Sequence, residues 1–221
     1  MTLNDDEIAA VLTRRISQRV ANIAATSPPR RFLIGIIGGP GSGKSTLAAR
    51  LAETLAAAVI PMDGFHMRQE KLKSLGFAAQ KGAPHTFEAE AFAGFLAHLK
   101  SATGPVSGPI YTRDIEEVTE NGYTVPPQTP ILIVEGNYLL LDTPPWNRIR
   151  PLLDLAVHLE LPRDTVRARL LRRHAEHGLF SPEHVATHVE QVDLPNYDLV
   201  SATARHADLV IVSRQISSPL P

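Results

Sequence analysis

The chain has no cysteine among its 221 residues. Disulfides, thiolate metal sites and cysteine nucleophiles are therefore excluded. It lacks an excess of either charge: 22 basic side chains face 23 acidic ones, for a net charge of −1. Nothing in that balance advertises nucleic acid or an anionic membrane surface. No apolar run approaches the ~20 residues of a transmembrane helix. The first residues, Met1-Thr2-Leu3-Asn4-Asp5-Asp6-Glu7, are acidic, the opposite of a secretory or transit signal. No internal repeat is present. What remains is a chain of ordinary globular composition, long enough for one large domain or one domain with a lid. A cytoplasmic enzyme is the expectation.

The most informative stretch is Gly38-Gly39-Pro40-Gly41-Ser42-Gly43-Lys44-Ser45, which fits the phosphate-binding pattern G-x-x-x-x-G-K-[ST]. Its context fits as well. Phe32–Ile37 precedes it and reads as a buried parallel strand. Leu47, Leu51 and Leu55 come next at i, i+4 and i+8, one face of a helix. Glycines let such a loop curl so that successive N–H groups point at phosphate oxygens, and the helix N-terminus adds its dipole. Lys44 can reach the β and γ phosphates, and the Ser45 hydroxyl can ligate Mg²⁺. Gly38, Gly39, Pro40, Gly41, Ser42, Gly43, Lys44, Ser45 and Thr46 thus make up the expected nucleotide cradle.

Along the chain, Asn4 and Glu7 resemble a capping box. Ile8, Val11, Leu12, Ile16, Val20 and Ile23 then keep helical spacing until Pro28-Pro29, which predicts an N-terminal helix within residues 1–27. Ala57–Pro61 reads as a second strand that delivers Asp63 to its carboxyl end, where ligands bind in open α/β sheets. A carboxylate there can hold metal-bound water or take the proton of an attacking hydroxyl. Residues 66–85 read as a polar, mobile excursion. Thr86 is the expected N-cap of a helix whose buried stripe is Phe92, Phe95, Leu96 and Leu99. Residues 104–130, rich in Pro and Gly, read as a hairpin-like insertion that covers substrate, with Tyr111 and Arg113 as its candidate contacts.

Ile131–Val134 is the clearest core strand, and it ends in Glu135-Gly136-Asn137-Tyr138. An acid at that point faces a metal or its waters. Trp146, after Pro144-Pro145, reads as packing at the start of a short helical turn. Leu155–Leu161 is a further strand. Beyond it a helix carries Arg163, Arg167, Arg169, Arg172 and Arg173, closed by Gly178. Arg169 and Arg173 share a face and suit a lid over residues 163–180 that closes on transferring phosphate. Ser181-Pro182-Glu183 opens another helix, on which His184 and His188 stand at i, i+4. That spacing can bind zinc, but no third ligand is evident, so the pair reads as solvated. Asp208–Val212 is the last strand.

These blocks together resemble the superfamily of phosphoribulokinase, uridine kinase and bacterial pantothenate kinase. The carriers are Gly38–Ser45, Met62-Asp63-Gly64-Phe65-His66, Gly82-Ala83-Pro84-His85-Thr86-Phe87, Pro109-Ile110-Tyr111-Thr112-Arg113, Val134-Glu135-Gly136-Asn137-Tyr138, Arg169–His174 and Asp193-Leu194-Pro195-Asn196. Within it the chain is most like a bacterial branch named for fructose transport. The resemblance implies a single P-loop kinase domain over 1–221: a three-layer α/β/α fold with a mainly parallel five-stranded sheet, order 2-3-1-4-5, and an arginine-rich lid. It implies ATP, Mg²⁺ and phosphoryl transfer to the hydroxyl of a small molecule.

Lys44, Asp63, Glu135, Arg169 and Arg173 become the implied catalytic set, with Ser45, Asp63 and Glu135 at the metal. Asp63, His66, Tyr111, Arg113, Asn137 and Tyr138 enclose the implied acceptor. Whether Asp63 acts as base or as metal ligand stays open. A sugar, a polyol, or an acid such as glycerate or pantothenate suits these side chains, and Arg113 leans toward a carboxylate or phosphate on the acceptor. Uridine kinases usually carry Asp-Ser-Phe-Tyr where this chain has Asp63-Gly64-Phe65-His66, which leans away from a nucleoside. Implied partners are the small-molecule acceptor, no nucleic acid and no membrane, with a homodimer left open. The alternatives are a uridine-type nucleoside kinase and a nucleotide-dependent switch or regulatory ATPase. A GTPase would need N-K-x-D and D-x-x-G, and a transporter ATPase L-S-G-G-Q. None occurs in the sequence.

Overall fold

Short runs of nearly continuous apolar residues are suited to strands covered on both faces, and five of them form one parallel sheet. The computed structural model describes residues 5–24, 30–112, 117–177 and 181–212. In chain order the elements are α1 (Asp5–Ala24), β1 (Phe32–Ile37), α2 (Lys44–Leu55), β2 (Ala58–Pro61), α3 (Gln69–Ser74), α4 (Ala89–Ser101), β3 (Val106–Thr112) and β4 (Glu117–Val125). Next come β5 (Ile131–Gly136), β6 (Leu155–Glu160), α5 (Arg163–His177), α6 (Pro182–His188), α7 (Leu194–Ser201) and β7 (Leu209–Val212). The main sheet runs β2-β5-β1-β6-β7, with every pairing parallel. Counted among its own strands, this is the order 2-3-1-4-5. All six residues of β1 are buried. The chain leaves β1 toward one edge and returns on its other side, so a crevice opens above the carboxyl end of β1.

The period of two along β1 sends alternate side chains into two different layers. Ile34 and Ile36 join Ile8, Leu12 and Ile16 of α1 and Leu47 and Leu51 of α2 on one face. Leu33 and Ile37 face Phe92, Leu96 and Leu99 of α4, with Tyr138 and Trp146, on the other. Ile8, Leu12 and Ile16 form one stripe of α1, and burying each contributes about 1.5–3 kcal/mol. Val11 lies off that stripe and is 43% exposed. The helix boundaries expected at Asn4, Pro28-Pro29 and Gly178 lie outside the described residues. A third apolar cluster, of Val166, Leu170, Val185, Val189, Leu194 and Tyr197, ties α5, α6 and α7 together beyond the sheet.

Strands β3 and β4 pair antiparallel as a separate hairpin. The buried Arg31 pins its base, donating to the carbonyl oxygens of Leu99 (3.0 Å), Gly104 (3.3 Å) and Pro126 (3.1 Å). Residues 66–85 hold more order than a polar loop: α3, anchored by the fully buried Leu72, and two short 3₁₀ turns at Ala78–Gln80 and Pro84–Thr86. Thr86 is not the N-cap of α4, which starts at Ala89. Phe87 stays extended because it bridges to His66. Thr86 Oγ1 instead accepts from the Gly82 N–H at 3.0 Å and donates to the Ala83 carbonyl at 2.7 Å, closing the preceding turn. Trp146 is buried at the start of a 3₁₀ turn, as its setting suggested.

One core residue makes stability depend on pH. His158 on β6 is fully buried, its Nε2 lies 3.1 Å from the Val200 carbonyl, and burial lowers its pKa. Below the unfolded value of about 6.5, the unfolded chain takes up a proton that the native histidine resists, so stability falls as pH falls. Urea unfolding of wild type and His158→Gln at about pH 7 and about pH 5 should show the steeper acid loss in the wild type. Equal pH slopes would remove His158 from the account.

Candidate active site

The crevice is built from the carboxyl ends of three neighbouring strands. After β1 the chain turns through Gly41 (φ 75°) and Gly43 (φ 88°), both in the left-handed region that glycine occupies without strain. Gly43 is the N-cap of α2; no side chain caps this terminus, and the first turn holds no acid. The amide groups and dipole of α2 are therefore directed at the crevice, the arrangement that binds phosphate. Lys44, the first residue of α2, lines the cavity above the loop.

Register brings the strand-end acid beside this loop. Ile36 pairs with Glu135 and Pro61 with Glu135, so the acid sits between β1 and β2. Glu135 is only 7% exposed, and Ser45 Oγ donates to its Oε2 at 3.1 Å. A hydroxyl and a carboxylate oxygen in contact are the hard oxygen donors that Mg²⁺ prefers. The residues present fit that ion.

Asp63 stands on the 3₁₀ turn Met62–Phe65 after β2 and lines the same cavity. The turn is held rigidly. Phe65 packs on Phe92 and Phe95, with ring centroids 4.7 and 5.4 Å away. A Cβ on Gly64 would come within 2.2 Å of the Pro109 carbonyl oxygen, so only glycine lets the hairpin approach this closely. His66 Nε2 lies 3.9 Å from Asp63 Oδ1. Its ring stacks on Phe87 at 4.0 Å and tilts against Tyr111 of β3 at 4.7 Å. Lys81 Nζ lies 5.1 Å from the Tyr111 ring centroid.

One cavity of about 610 Å³ brings together Lys44, Asp63, His66, Tyr111, Asn137 and Arg173. Arg169 lies at the loop itself, Nη1 donating to the Gly41 carbonyl at 3.2 Å. The other arginines of α5 point elsewhere: Arg163 pairs with Asp198, Arg167 with Glu190 and Arg172 with Glu176, all exposed. Such pairs contribute little to stability. Tyr138 is not brought to the cavity wall. It is fully buried, its hydroxyl donates to the Gly82 carbonyl at 2.5 Å, and burial pushes its pKa above the ordinary tyrosine range. It braces the loop that carries Lys81. Arg113 lies outside the described residues.

The far wall of the cavity is not foreseen from the sequence. It comprises His174, His184, His188 and Asp193, from α5, α6 and the turn beyond it. Both histidines line the cavity; His184 is exposed, in keeping with the solvated reading, whereas the half-buried His188 has His174 and Asp193 as neighbouring donor groups that its sequence spacing does not disclose. The local hints are the adjacency of His174 to Arg173 and the Asp193-Leu194-Pro195-Asn196 block.

Sheet order, glycine loop and strand-end acid define a P-loop kinase. The chain belongs to the Phosphoribulokinase / Uridine kinase family, whose sequence profile matches residues 33–217. It is 35% identical to a protein of Schizosaccharomyces pombe provisionally named a uridine kinase, over 82% of this chain and 83% of that one. It is likewise 35% identical to a protein of Silicibacter sp. TM1040 provisionally assigned as a fructose transport system kinase. That crystal structure superposes with a TM-score of 0.82 over 91% of this chain and 98% of the other. Phosphoribulokinase from Rhodobacter spheroides shares the fold at 14% identity, with a TM-score of 0.53 over 77% of this chain and 68% of its own. The protein is accordingly a small-molecule kinase, an ATP-dependent phosphotransferase. Kinases of this family use ATP and typically Mg²⁺. Among the described residues no helix is long and apolar enough to cross a membrane.

Proposed function

We propose that the chain moves the γ-phosphoryl group of ATP to a hydroxyl of a small polar metabolite: a sugar, a polyol, or a glycerate-like or pantothenate-like acid. The observation that carries this reading is one cavity that joins Lys44 of the phosphate loop to Asp63, His66, Tyr111 and Asn137. Its volume of about 610 Å³ lies within the ordinary range for one ligand site. The triphosphate end takes part of it, which leaves room for a small acceptor.

The residues divide the work by position. The loop amides and Lys44 hold the β and γ phosphates, and Ser45 and Glu135 would hold a magnesium ion or its waters. That ion, when bound, offsets charge on the phosphate oxygens. Asp63 takes the proton of the acceptor hydroxyl as its oxygen bonds to the γ-phosphorus and the bond to the β-bridging oxygen breaks. Arg169 and Arg173 stabilise the charge on the phosphoryl oxygens. His66, Tyr111 and Asn137 orient the acceptor, and Tyr138 braces the Gly82 loop beside them.

The relatives' names point to different acceptors, uridine and pantothenate, and one is named only for a fructose transport system, so the reading is tested by a panel. ADP release should be measured with sugars, polyols, glycerate, pantothenate, uridine and cytidine. Turnover is expected only when an acceptor is present, and from the sugar, polyol or hydroxy-acid group. Turnover with nucleosides alone would favour a uridine-type kinase. ATP consumption with no acceptor would favour a regulatory ATPase.

A further inference from the structure

Three donors of the kind that bind transition metals meet on the far wall of the cavity. His174 of α5, His188 at the end of α6 and Asp193 each offer one ligand atom, all within 4.8 Å of one another. His174 Nε2 is already 2.8 Å from Asp193 Oδ2. The His174 and His188 rings meet edge to face with centroids 5.5 Å apart. Asp193 is buried and the two histidines are half-buried.

A backbone irregularity builds this cluster. Val189–Asp193 winds as a π-helix turn between α6 and α7. In a regular α-helix of 3.6 residues per turn, two residues five apart face different sides. The i→i+5 winding of a π turn brings them onto one side, and such turns occur frequently at functional sites. Val189 and Leu194, buried in the α5–α7 cluster, hold the turn from behind.

We propose that His174, His188 and Asp193 bind one divalent transition-metal ion of the zinc class, with an open position facing the cavity. Two imidazole nitrogens and one carboxylate oxygen suit Zn²⁺, Co²⁺ or Ni²⁺, whereas Mg²⁺ prefers a shell of oxygens. Two histidines, one carboxylate and an exchangeable fourth ligand make up a set that zinc uses where it keeps an open position. An ion about 2.0–2.2 Å from each donor holds neighbouring donors roughly 3–3.5 Å apart. Small side-chain rotations satisfy that, since one pair is already closer. The fourth position takes water, or a hydroxyl or carboxylate oxygen of a molecule bound in the cavity. The ion is separate from the one expected at Ser45 and Glu135, because the donors come from different elements. The proposal does not rest on the phosphoryl-transfer reading.

The test is titration of the chelator-stripped full chain, without nucleotide or acceptor, with Zn²⁺ by calorimetry and with Co²⁺ by visible absorption. One ion per chain should bind with a dissociation constant in the micromolar range or below, and Co²⁺ should give the strong visible bands of a four- or five-coordinate site with nitrogen ligands. His188→Ala and His174→Ala should each weaken binding by at least about tenfold, since even residues behind metal ligands cost that much when changed. His98→Ala, which removes an exposed imidazole on α4, should leave the affinity unchanged. Circular dichroism of each variant separates lost ligands from lost fold, and Asp193→Asn supplies a third, near-isosteric variant. Absence of binding would overturn the proposal. So would binding that the folded His174 and His188 variants retain, or the weak spectrum of octahedral, all-oxygen cobalt.

Discussion

Replacing Asp63 with asparagine is expected to lower kcat by about 10²–10⁴-fold, the usual contribution of a general base, while ATP binding stays nearly intact. Asparagine keeps the shape of the side chain but loses its basicity and its negative charge. The setting makes this a clean exchange. The turn is fixed by Phe65 against Phe92 and by Gly64 beneath the Pro109 carbonyl, so the new side chain has no reason to relocate. Asp63 also faces His66 across 3.9 Å. Single-turnover rates and ATP titration separate the two roles left open for this residue. A collapse of ATP affinity with acceptor turnover unchanged would make Asp63 a metal or nucleotide ligand and place the base elsewhere.

The features that sequence predicts well here are those set by a strand and the residues at its carboxyl end. Glu135 could be placed because four apolar residues fix a strand and parallel register fixes its end. The contact with Ser45 is then a consequence of β1 and β5 being neighbours. The glycine loop needs no long-range information at all. Other residues depend on partners far away in the chain. Thr86 has the chemistry of an N-cap, yet the bridge between His66 and Phe87 moves the start of the helix to Ala89. Tyr138 stands after a strand-end acid in the same way as Asn137, but it turns beneath the loop to meet Gly82. The arginines of α5 look equivalent in sequence. Only the position of the helix over the loop separates Arg169 and Arg173 from the three with surface partners. His188 and Asp193 are the hardest to pair, because a five-residue spacing becomes one face only when the backbone winds as a π turn.

Replacing Lys44 with alanine is expected to abolish measurable transfer. The side chain lies at the start of α2 and opens into the cavity, where its ammonium group offsets charge on the β and γ phosphates. That charge shifts toward the leaving oxygen as the bond breaks. A fixed donor at such a position is worth roughly 3 kcal/mol or more, or 10²–10³ in rate. Lys44 also meets the phosphates before reaction, so the KM for ATP should rise as kcat falls, unlike the pattern for Asp63→Asn. The fold should survive. Alanine is the strongest helix former, and the residues of α2 that pack in the core are Leu47, Ala48 and Leu51. Thermal unfolding close to that of the wild type would confirm that point, and the kinetics would then report on chemistry alone. Normal turnover in a folded Lys44→Ala variant would overturn the assignment of this loop as the phosphate site.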